Sequence, residues 1–494
     1  MPLDRRALTE RLRETSPQAA GALFTSLYRP EMAALLEDFQ RHRRGDLLAR
    51  RRAALMDSLL RIFAGRFWPD ASDGMALAAT GGYGRGQLAP HSDLDLLMLA
   101  PSRSEAEAQE TLSPLLACLW DAGLKVGHAV RTPQELAEAA TGETVTASCL
   151  LDARLLYGHG GLFATSVHGF LQALPKAGFI AAKRQEQKVR QAAPANAPYR
   201  VEPNVKEGYG GLRDIQTLWW IGKALHPIQS FDDLVSYGLL ASRDAITLQQ
   251  AERYLLSLRC ALHVLRGKAE EKISFAVQPE LASFLGYRNR PPLKDMERLI
   301  RHYHHHVRQV ADVTRRLYAT LDAPARPAAM QAAAPLMKGL GRTGNYIVFT
   351  EPEPATATWF QLFALAARHG LEPHPNALET IRAGLSRLDD KGRAEPAANQ
   401  AFVELLSGKA NPVRMLELMT DIGLLGAFIP DYGKVVGLMQ YDLNHVYTVD
   451  EHTLHAIGWL NRLASGELAQ MFPRAHAVLP QISNPVLLFL AVFL

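Results

Sequence analysis

The chain has 494 residues, of which 48% are hydrophobic and 21% charged, so it has the composition of a globular protein and the length of about three domains. This composition excludes wholesale disorder and collagen-like repeats. Lys and Arg number 54 against 50 Asp and Glu, a formal charge of only +4, which argues against nucleic acid or an acidic membrane as the main partner.

Targeting and redox signals indicate a protein of the cytoplasm. The N-terminus lacks the apolar run of a signal peptide, and the longest apolar stretch, residues 485–494, is too short to span a bilayer and predicts a buried helix. Cys118, Cys149 and Cys260 lie far apart and form no CxxC pair, as in reducing compartments. We therefore expect a cytoplasmic protein with no membrane partner.

Hydrophobic periodicity divides the chain into five regions. They are a helical region at 1–69, an α/β region at 70–177, a helical region at 178–322, an Ala- and Pro-rich linker at 323–336 and a second helical region at 337–494. In the α/β region, apolar runs at 75–80 and 94–100 predict buried strands, residues 105–122 predict a helix, and a third strand is expected at 124–132. A histidine-rich stretch at 302–306 is expected to be a solvated helix face.

The most informative stretch joins a glycine-rich turn to two closely spaced aspartates. Side chains on a strand alternate between two faces, so Asp93 and Asp95 project from the same face. Two such carboxylates suit Mg²⁺, which completes its coordination with substrate phosphate and water. Gly81 and Gly82 lack Cβ atoms and let backbone N–H groups approach a triphosphate. Each feature alone is more often a solvated edge or a plain turn, but together they predict a phosphoryl-transfer site.

This spacing resembles that of the polymerase-β-like nucleotidyltransferases, in which a Gly-Gly or Gly-Ser pair precedes Asp-x-Asp by about ten residues. Three stretches narrow the resemblance to the bacterial bifunctional PII uridylyltransferase/uridylyl-removing enzymes: GGYGRGQLAPHSDLDLL at 81–97, EPNVKEGYGGLRDIQ at 202–216 and HVYTVDEHTL at 445–454. The resemblance covers nearly the whole chain. It implies a mostly helical, multi-domain α+β fold: a nucleotidyltransferase α/β domain at 70–177, helical extensions and a partial, all-α HD-type domain within 337–494.

The resemblance further implies Mg²⁺-dependent transfer of UMP from UTP to a tyrosine of the PII signalling protein, with release of pyrophosphate. Asp93 and Asp95 would then be catalytic and metal-binding. The implied nucleotide-binding residues are Gly81, Gly82, Arg85, Ser92, Lys206, Gly210, Gly211 and Arg213. Two alternatives stay open: Arg85 as a surface arginine, and residues 206–214 as the start of a helix, with Gly211 at its entry and Asp214 near its positive end.

The base that would deprotonate the acceptor tyrosine is harder to assign. The superfamily often places a third carboxylate on the next strand, whereas the strand expected at 124–132 has no acidic residue. We therefore take His128 as a candidate catalytic residue. Glu143 and Asp152 are the alternatives, and a purely structural histidine is the competing interpretation.

A second metal site, of the HD type, removes UMP from PII in this family. His452 best matches its first ligand, with His445 as the competing choice, and no His-Asp pair follows His452 in the sequence. The glutamine-sensing ACT domains of the family are also unmatched. We therefore expect this chain to lack uridylyl-removing activity. Two further possibilities are a nucleotidyltransferase with another acceptor, such as an antibiotic or a tRNA end, and a non-catalytic fragment that binds PII or nucleotide.

Overall fold

The computed structural model describes residues 12, 15–68, 74–100, 105–193, 196, 200–291, 293–322, 333–408, 410–438 and 448–494. The described chain is mostly helical, with two small mixed sheets. It divides into two units. Unit 1 comprises residues 1–198, 202–299 and 309–311, and unit 2 comprises residues 199–201, 300–308 and 312–494.

The helices and strands follow one another in a simple order. Those of unit 1 are α1 Pro17–His42, α2 Gly45–Phe67, β1 Ala76–Ala79, α3 Gly81–Gly84, β2 Leu94–Leu99, α4 Glu105–Asp121, β3 Val126–Arg131, α5 Pro133–Glu138, α6 Thr144–Leu151, β4 Arg154–Gly158, α7 Gly160–Ala173, α8 Lys176–Ala192, α9 Leu212–Leu225, α10 Phe231–Ser236, α11 Ser242–Arg266 and α12 Gln278–Phe284. Helix α13, Asp295–Asp322, contributes residues to both units. Those of unit 2 are β5 Ala334–Met337, β6 Leu340–Thr343, β7 Tyr346–Phe349, α14 Thr356–His369, β8 Glu372–Pro373, α15 Pro375–Gly384, α16 Asp390–Arg393, α17 Pro396–Ser407, α18 Val413–Asp421, α19 Leu424–Phe428, α20 Pro430–Val435, α21 Val449–Ala464, α22 Pro473–Val478 and α23 Pro485–Phe493.

The sheet of unit 1 has the strand order β3–β2–β1–β4. Strand β1 is antiparallel to β2 and β4, whereas β2 and β3 are parallel, with Asp95 opposite Gly127. All four residues of β1 are buried, and the apolar residues of β2 are buried with them. The three predicted strands and the helix at 105–122 are thus confirmed. The apolar runs form the buried strands β1 and β2, whereas β3 is largely exposed. Strand β4 was not predicted, since its sequence RLLYG begins with a charged residue and is short.

Unit 2 contains a sheet that the sequence did not reveal. Its order is β5–β6–β7–β8, and only the last pair is parallel. The predicted linker at 323–336 is wrong at its end, because β5 begins at Ala334, and residues 323–332 lie outside the described part. The region 337–494, expected to be helical, is mostly helical but also contains β6, β7 and β8. Each strand has four residues or fewer, too short for a clear two-residue periodicity.

The core of unit 2 is built by the helices that follow this sheet. Trp359, Phe360 and Phe363 of α14 pack with apolar side chains of α17, α18 and α19. The C-terminal helix begins at Pro485 as predicted, but only Phe489 and Phe493 are buried, so the expected buried helix is wrong for its other residues. In the described part of the chain, no single helix is long and apolar enough to cross a membrane; Pro473–Gln481 and Pro485–Phe493, bent by 118°, pass that test only as a pair.

The histidine-rich stretch of α13 also differs from expectation. His304 and His306 are buried, so the predicted solvated face is wrong for these two residues. The Nε2 atoms of His302 and His306 lie 3.2 Å apart, as i,i+4 spacing on a helix allows. Residues two apart lie about 200° apart around a helix, so the burial of both histidines does not follow from a single apolar stripe on this amphipathic helix.

Candidate active site

A cavity of about 310 Å³ in unit 1 collects most of the predicted site residues. We call it the aspartate cavity. The predicted residues that line it are Gly81, Gly82, Arg85, Ser92, Asp93, Asp95, Lys206 and Arg213. They come from two parts of the sequence: residues 81–95, which include the turn α3 and the entry to β2, and residues 206–213, which include the loop before α9 and its first turn. His128, Gly210 and Gly211 are not among the described residues that line it.

The Asp95 carboxylate lies between two glycines. Gly81 has a left-handed backbone, with φ of 55°, and a Cβ atom there would lie 3.0 Å from Oδ2 of Asp95. A Cβ atom on Gly127 would lie 2.8 Å from Oδ1. Sequence reasoning missed Gly127, although an isolated glycine within a strand is itself a signal of close approach. Both glycines leave the space that this carboxylate occupies.

The two aspartates repel each other inside the aspartate cavity. Burial and the neighbouring charge of Asp93 raise the pKa of Asp95, against the influence of Lys206 and Arg85. Like charges in a partly desolvated site favour the entry of a cation, and carboxylate oxygens are ligands that Mg²⁺ accepts. The described residues contain no group of three or more His, Cys, Asp or Glu side chains arranged for a metal. The two carboxylates therefore fit a metal whose other ligands are phosphate and water.

Ser92 adds an unused polar atom to the aspartate cavity. Its hydroxyl is buried, and within the described residues the oxygen has no hydrogen-bond partner. A buried hydroxyl without a partner is costly, so this position fits a ligand that supplies one.

The aspartate cavity holds more positive than negative side chains. Its five cations are Arg85, Lys183, Lys206, Arg213 and Arg259, and its four carboxylates are Asp93, Asp95, Glu186 and Glu271. Most cations have carboxylate partners, such as Lys183 with Glu186 at 2.7 Å and Arg259 with Glu271 at 2.8 Å. Among the described residues, no carboxylate lies within ion-pair distance of the Lys206 ammonium. This arrangement suits a polyanion that binds a cation at the same time.

Burial and the charges of Arg259 and Arg213 lower the pKa of Lys206. Lys206 reaches the aspartate cavity from a tightly folded loop before α9, and Arg213 reaches it from the first turn of α9. The Arg213 N–H donates to the Lys206 carbonyl at 2.9 Å, which holds the two residues together. A Cβ atom on Gly211, at the start of α9, would lie 2.9 Å from that same carbonyl oxygen. The described geometry thus agrees with the helix-start interpretation of Gly211.

Gly210 and Asp214 complete the same loop. The Gly210 N–H donates to Oδ2 of Asp214 at 2.8 Å, and Gly210 has a positive φ of 66°. Asp214 is fully buried in the first turn of α9 and forms an ion pair with Arg190. Gly210 and Asp214 therefore shape the loop, while the basic side chains face the aspartate cavity.

Asp152, one of the alternative bases, is engaged by four donors. The indole N–H groups of Trp219 and Trp220 donate to its carboxylate at 3.1 and 2.7 Å. Arg85 forms an ion pair with it, and the Lys223 ammonium lies 3.5 Å away. A buried carboxylate with these partners is a structural anchor, and Arg85 is thereby a largely buried residue instead of a surface arginine.

His128 and Glu143, the other candidate bases, lie apart from the aspartates. Residue 127 faces Asp95, so the alternation of β3 directs the next residue, His128, to the opposite face. Its exposed ring contacts Trp120, with centroids 6.4 Å apart. Glu143 is exposed at the N-terminal end of α6. The structure does not bring either residue to the aspartate cavity.

The predicted metal ligand of the second site, His452, is exposed in the first turn of α21. Its neighbours Asp450 and Glu451 are buried, and Oδ2 of Asp450 accepts a hydrogen bond from Arg308 at 3.0 Å. The competing candidate, His445, lies outside the described residues.

Comparison with known proteins agrees with the resemblance seen in the motifs. A family model described as GlnD PII-uridylyltransferase matches residues 178–318, and one described as the third domain of uridylyltransferase GlnD matches residues 350–428. The matches define a protein of the uridylyltransferase class. A bifunctional uridylyltransferase/uridylyl-removing enzyme of Azospirillum brasilense is 37% identical over 86% of this chain. The chain belongs to the GlnD uridylyltransferase family, and it spans 47% of the length of that relative.

Proposed function

We propose that this chain transfers UMP from UTP to a tyrosine of a PII signalling protein and releases pyrophosphate. The observation that carries the proposal is the pairing of Asp93 and Asp95 in one cavity with Lys206 and Arg213. Two carboxylates for a metal and basic groups for a polyphosphate are the parts that nucleotidyl transfer requires. The family match supports the choice of UTP and PII over other nucleotides and acceptors.

Asp93 and Asp95 would hold Mg²⁺, which when bound neutralises the charge that develops on the triphosphate. Lys206 and Arg213 would bind the outer phosphates, Lys206 as a point charge and Arg213 as a fork. The Ser92 hydroxyl would donate to a phosphate oxygen, which gives its buried oxygen the missing partner. Attack of the tyrosine oxygen on the α-phosphorus would form the new P–O bond as the bond to pyrophosphate breaks, and the phenolic proton would leave to solvent water.

The backbone of the turn α3 would also contact the nucleotide. Gly81 and Gly82 line the aspartate cavity, and neither has a side chain to separate the peptide from a phosphate. Arg85 lines the same cavity while its guanidinium is held by Asp152. A cation fixed in this way contributes charge without losing side-chain freedom on binding.

The experiment that tests this proposal uses UTP labelled at either the α- or the γ-phosphate, with PII and Mg²⁺. We expect the α-label on PII and the γ-label in pyrophosphate. A PII variant with Phe at the acceptor tyrosine should take no label. Absence of label on wild-type PII, with UTP still bound, would indicate a nucleotide-binding protein or another acceptor and would contradict the proposal.

The lack of uridylyl-removing activity stays a prediction. It is tested by incubating uridylylated PII with this chain and a divalent metal. Metal-dependent release of UMP would contradict it, and His452→Ala would then show whether His452 takes part.

A further inference from the structure

Trp220 of α9 lies at the wall of the aspartate cavity and is 3% exposed. Its indole N–H donates to Oδ2 of Asp152 at 2.7 Å, which fixes the plane of the ring. Oδ2 of Asp152 also pairs with Arg85. One buried carboxylate thus holds both an aromatic ring and a cation of the cavity.

Three cations of the aspartate cavity contact this single ring. The Lys183 ammonium lies 4.5 Å from a ring centroid of Trp220. The guanidinium carbons of Arg213 and Arg85 lie 5.4 and 5.5 Å away. Cations within about 6 Å of an indole are attracted by the negative face of the ring, by roughly 0.5–2 kcal/mol each. The ring thereby helps three like charges to remain close together.

We infer that Trp220 is a positioning residue for the phosphate-binding cations: its ring, fixed by Asp152, orders Arg85, Lys183 and Arg213 for the triphosphate. This inference rests on the proposed function for the identity of the ligand. Preorganised cations lose less side-chain entropy when a polyanion binds. We therefore expect Trp220 to affect the affinity for the triphosphate more than the rate of the chemical step. The motif at 202–216 contains Arg213 and ends a few residues before Trp220. Arg213 and Trp220 are therefore close together in the sequence.

The neighbouring Trp219 provides a matched control. Its indole N–H also donates to Asp152, at 3.1 Å to Oδ1. Its ring instead contacts Lys223, at 5.2 Å, and Phe231, and it lines another cavity, of about 690 Å³, which shares Arg85 with the aspartate cavity. Both tryptophans therefore donate to the same carboxylate, but in the part of the chain that the structure describes, only the Trp220 ring contacts cations of the aspartate cavity.

The test compares Trp220→Leu with Trp219→Leu in the full chain. Binding of inorganic triphosphate with Mg²⁺ is measured by calorimetry without PII, and KM for UTP and kcat are measured with PII. We expect Trp220→Leu to weaken triphosphate binding and raise KM about tenfold or more, with a smaller change in kcat. Trp219→Leu should stay within about threefold of wild type.

Three results would overturn the inference: triphosphate binding weakened equally in the two leucine variants, binding unchanged in Trp220→Leu, or no triphosphate binding by the wild type. If Trp220→Leu fails to fold, Trp220→Phe takes its place: its smaller ring, without the N–H, should weaken binding about threefold while Trp219→Phe does not. Triphosphate binding that depends on Trp220, without UMP transfer to PII, would retain the inference and defeat the proposed function. The two failures are thus distinguishable.

Discussion

Asp95 and Gly127 face each other across the parallel strands β2 and β3, so closely that a Cβ atom on Gly127 would lie 2.8 Å from Oδ1 of Asp95. The carboxylate of Asp95 therefore occupies space that is open only because residue 127 is a glycine. Gly81 limits the same carboxylate from the other side. A carboxylate held in this way has little freedom to move.

Gly127→Ala should displace the Asp95 carboxylate and reduce UMP transfer by roughly ten- to a hundredfold, because displacements of about 1 Å carry losses of that size. Gly127 is exposed on an edge strand, so the free energy of unfolding should change little. The control is Gly169→Ala in α7, where the added methyl meets no atom within 4 Å. Full activity of Gly127→Ala would show that the contact does not position Asp95.

Lys206 should make UTP binding sensitive to alkaline pH. Burial, Arg259 and Arg213 lower its pKa, whereas Glu271 and Glu207 act in the opposite direction. Lysine is charged below its pKa, so a lowered pKa removes the charge at a lower pH than for an ordinary lysine. KM for UTP should therefore rise as pH increases from neutral to alkaline.

The variant Lys206→Arg retains its charge throughout this range and should flatten the rise in KM. The exposed Lys272, paired with Glu202 at 2.7 Å, offers a control in Lys272→Arg. A pH profile of KM that is the same for Lys206→Arg and wild type would contradict the assignment.

A single replacement tests whether His128 is the base that accepts the proton of the acceptor tyrosine. As the proton acceptor it would be needed for transfer, and His128→Ala would lose a hundredfold or more, the usual contribution of a general base. Because His128 is exposed on the face of β3 opposite Asp95, we do not expect this loss. We expect His128→Ala to keep kcat within about threefold of wild type, and a large loss would restore it as a base.

Arg308 should stabilise unit 2. Its guanidinium lies 3.0 Å from Asp450 and 3.8 Å from Asp421, two carboxylates that are almost fully buried. Arg308→Met removes the positive charge that lies beside both buried carboxylates. It should lower the free energy of unfolding by about 3–5 kcal/mol in a urea titration. Arg462→Met, which breaks a surface pair with Glu467, should cost under about 1 kcal/mol. Equal effects of the two would contradict the role of Arg308.

The sequence predicted the parts of the site that depend on local spacing. Asp93 and Asp95, two residues apart, line the same cavity as predicted, although Asp93 lies just before β2, and the apolar run that includes Leu94 and follows Asp95 forms a buried strand. The contacts of Gly127 and Trp220 could not be predicted in this way. They depend on the register of β2 with β3 and on a hydrogen bond between residues 68 positions apart.

Other elements escaped prediction because their local signals are weak. Strand β4 and the short strands β5–β8 gain their stability from neighbouring strands, which periodicity within one segment does not report. The buried His304 shows the same limit, since a histidine-rich stretch reads as polar until its packing is known.

The central claim is that Asp93 and Asp95 hold the metal for UMP transfer. Its most direct test is the rate of α-label transfer from UTP to PII by Asp93→Asn/Asp95→Asn, with the exposed Asp232→Asn as control. We predict a loss on the order of a thousandfold or more for the double variant and none for the control, because the metal-stabilised charge is removed. Transfer by the double variant at the wild-type rate would contradict the account.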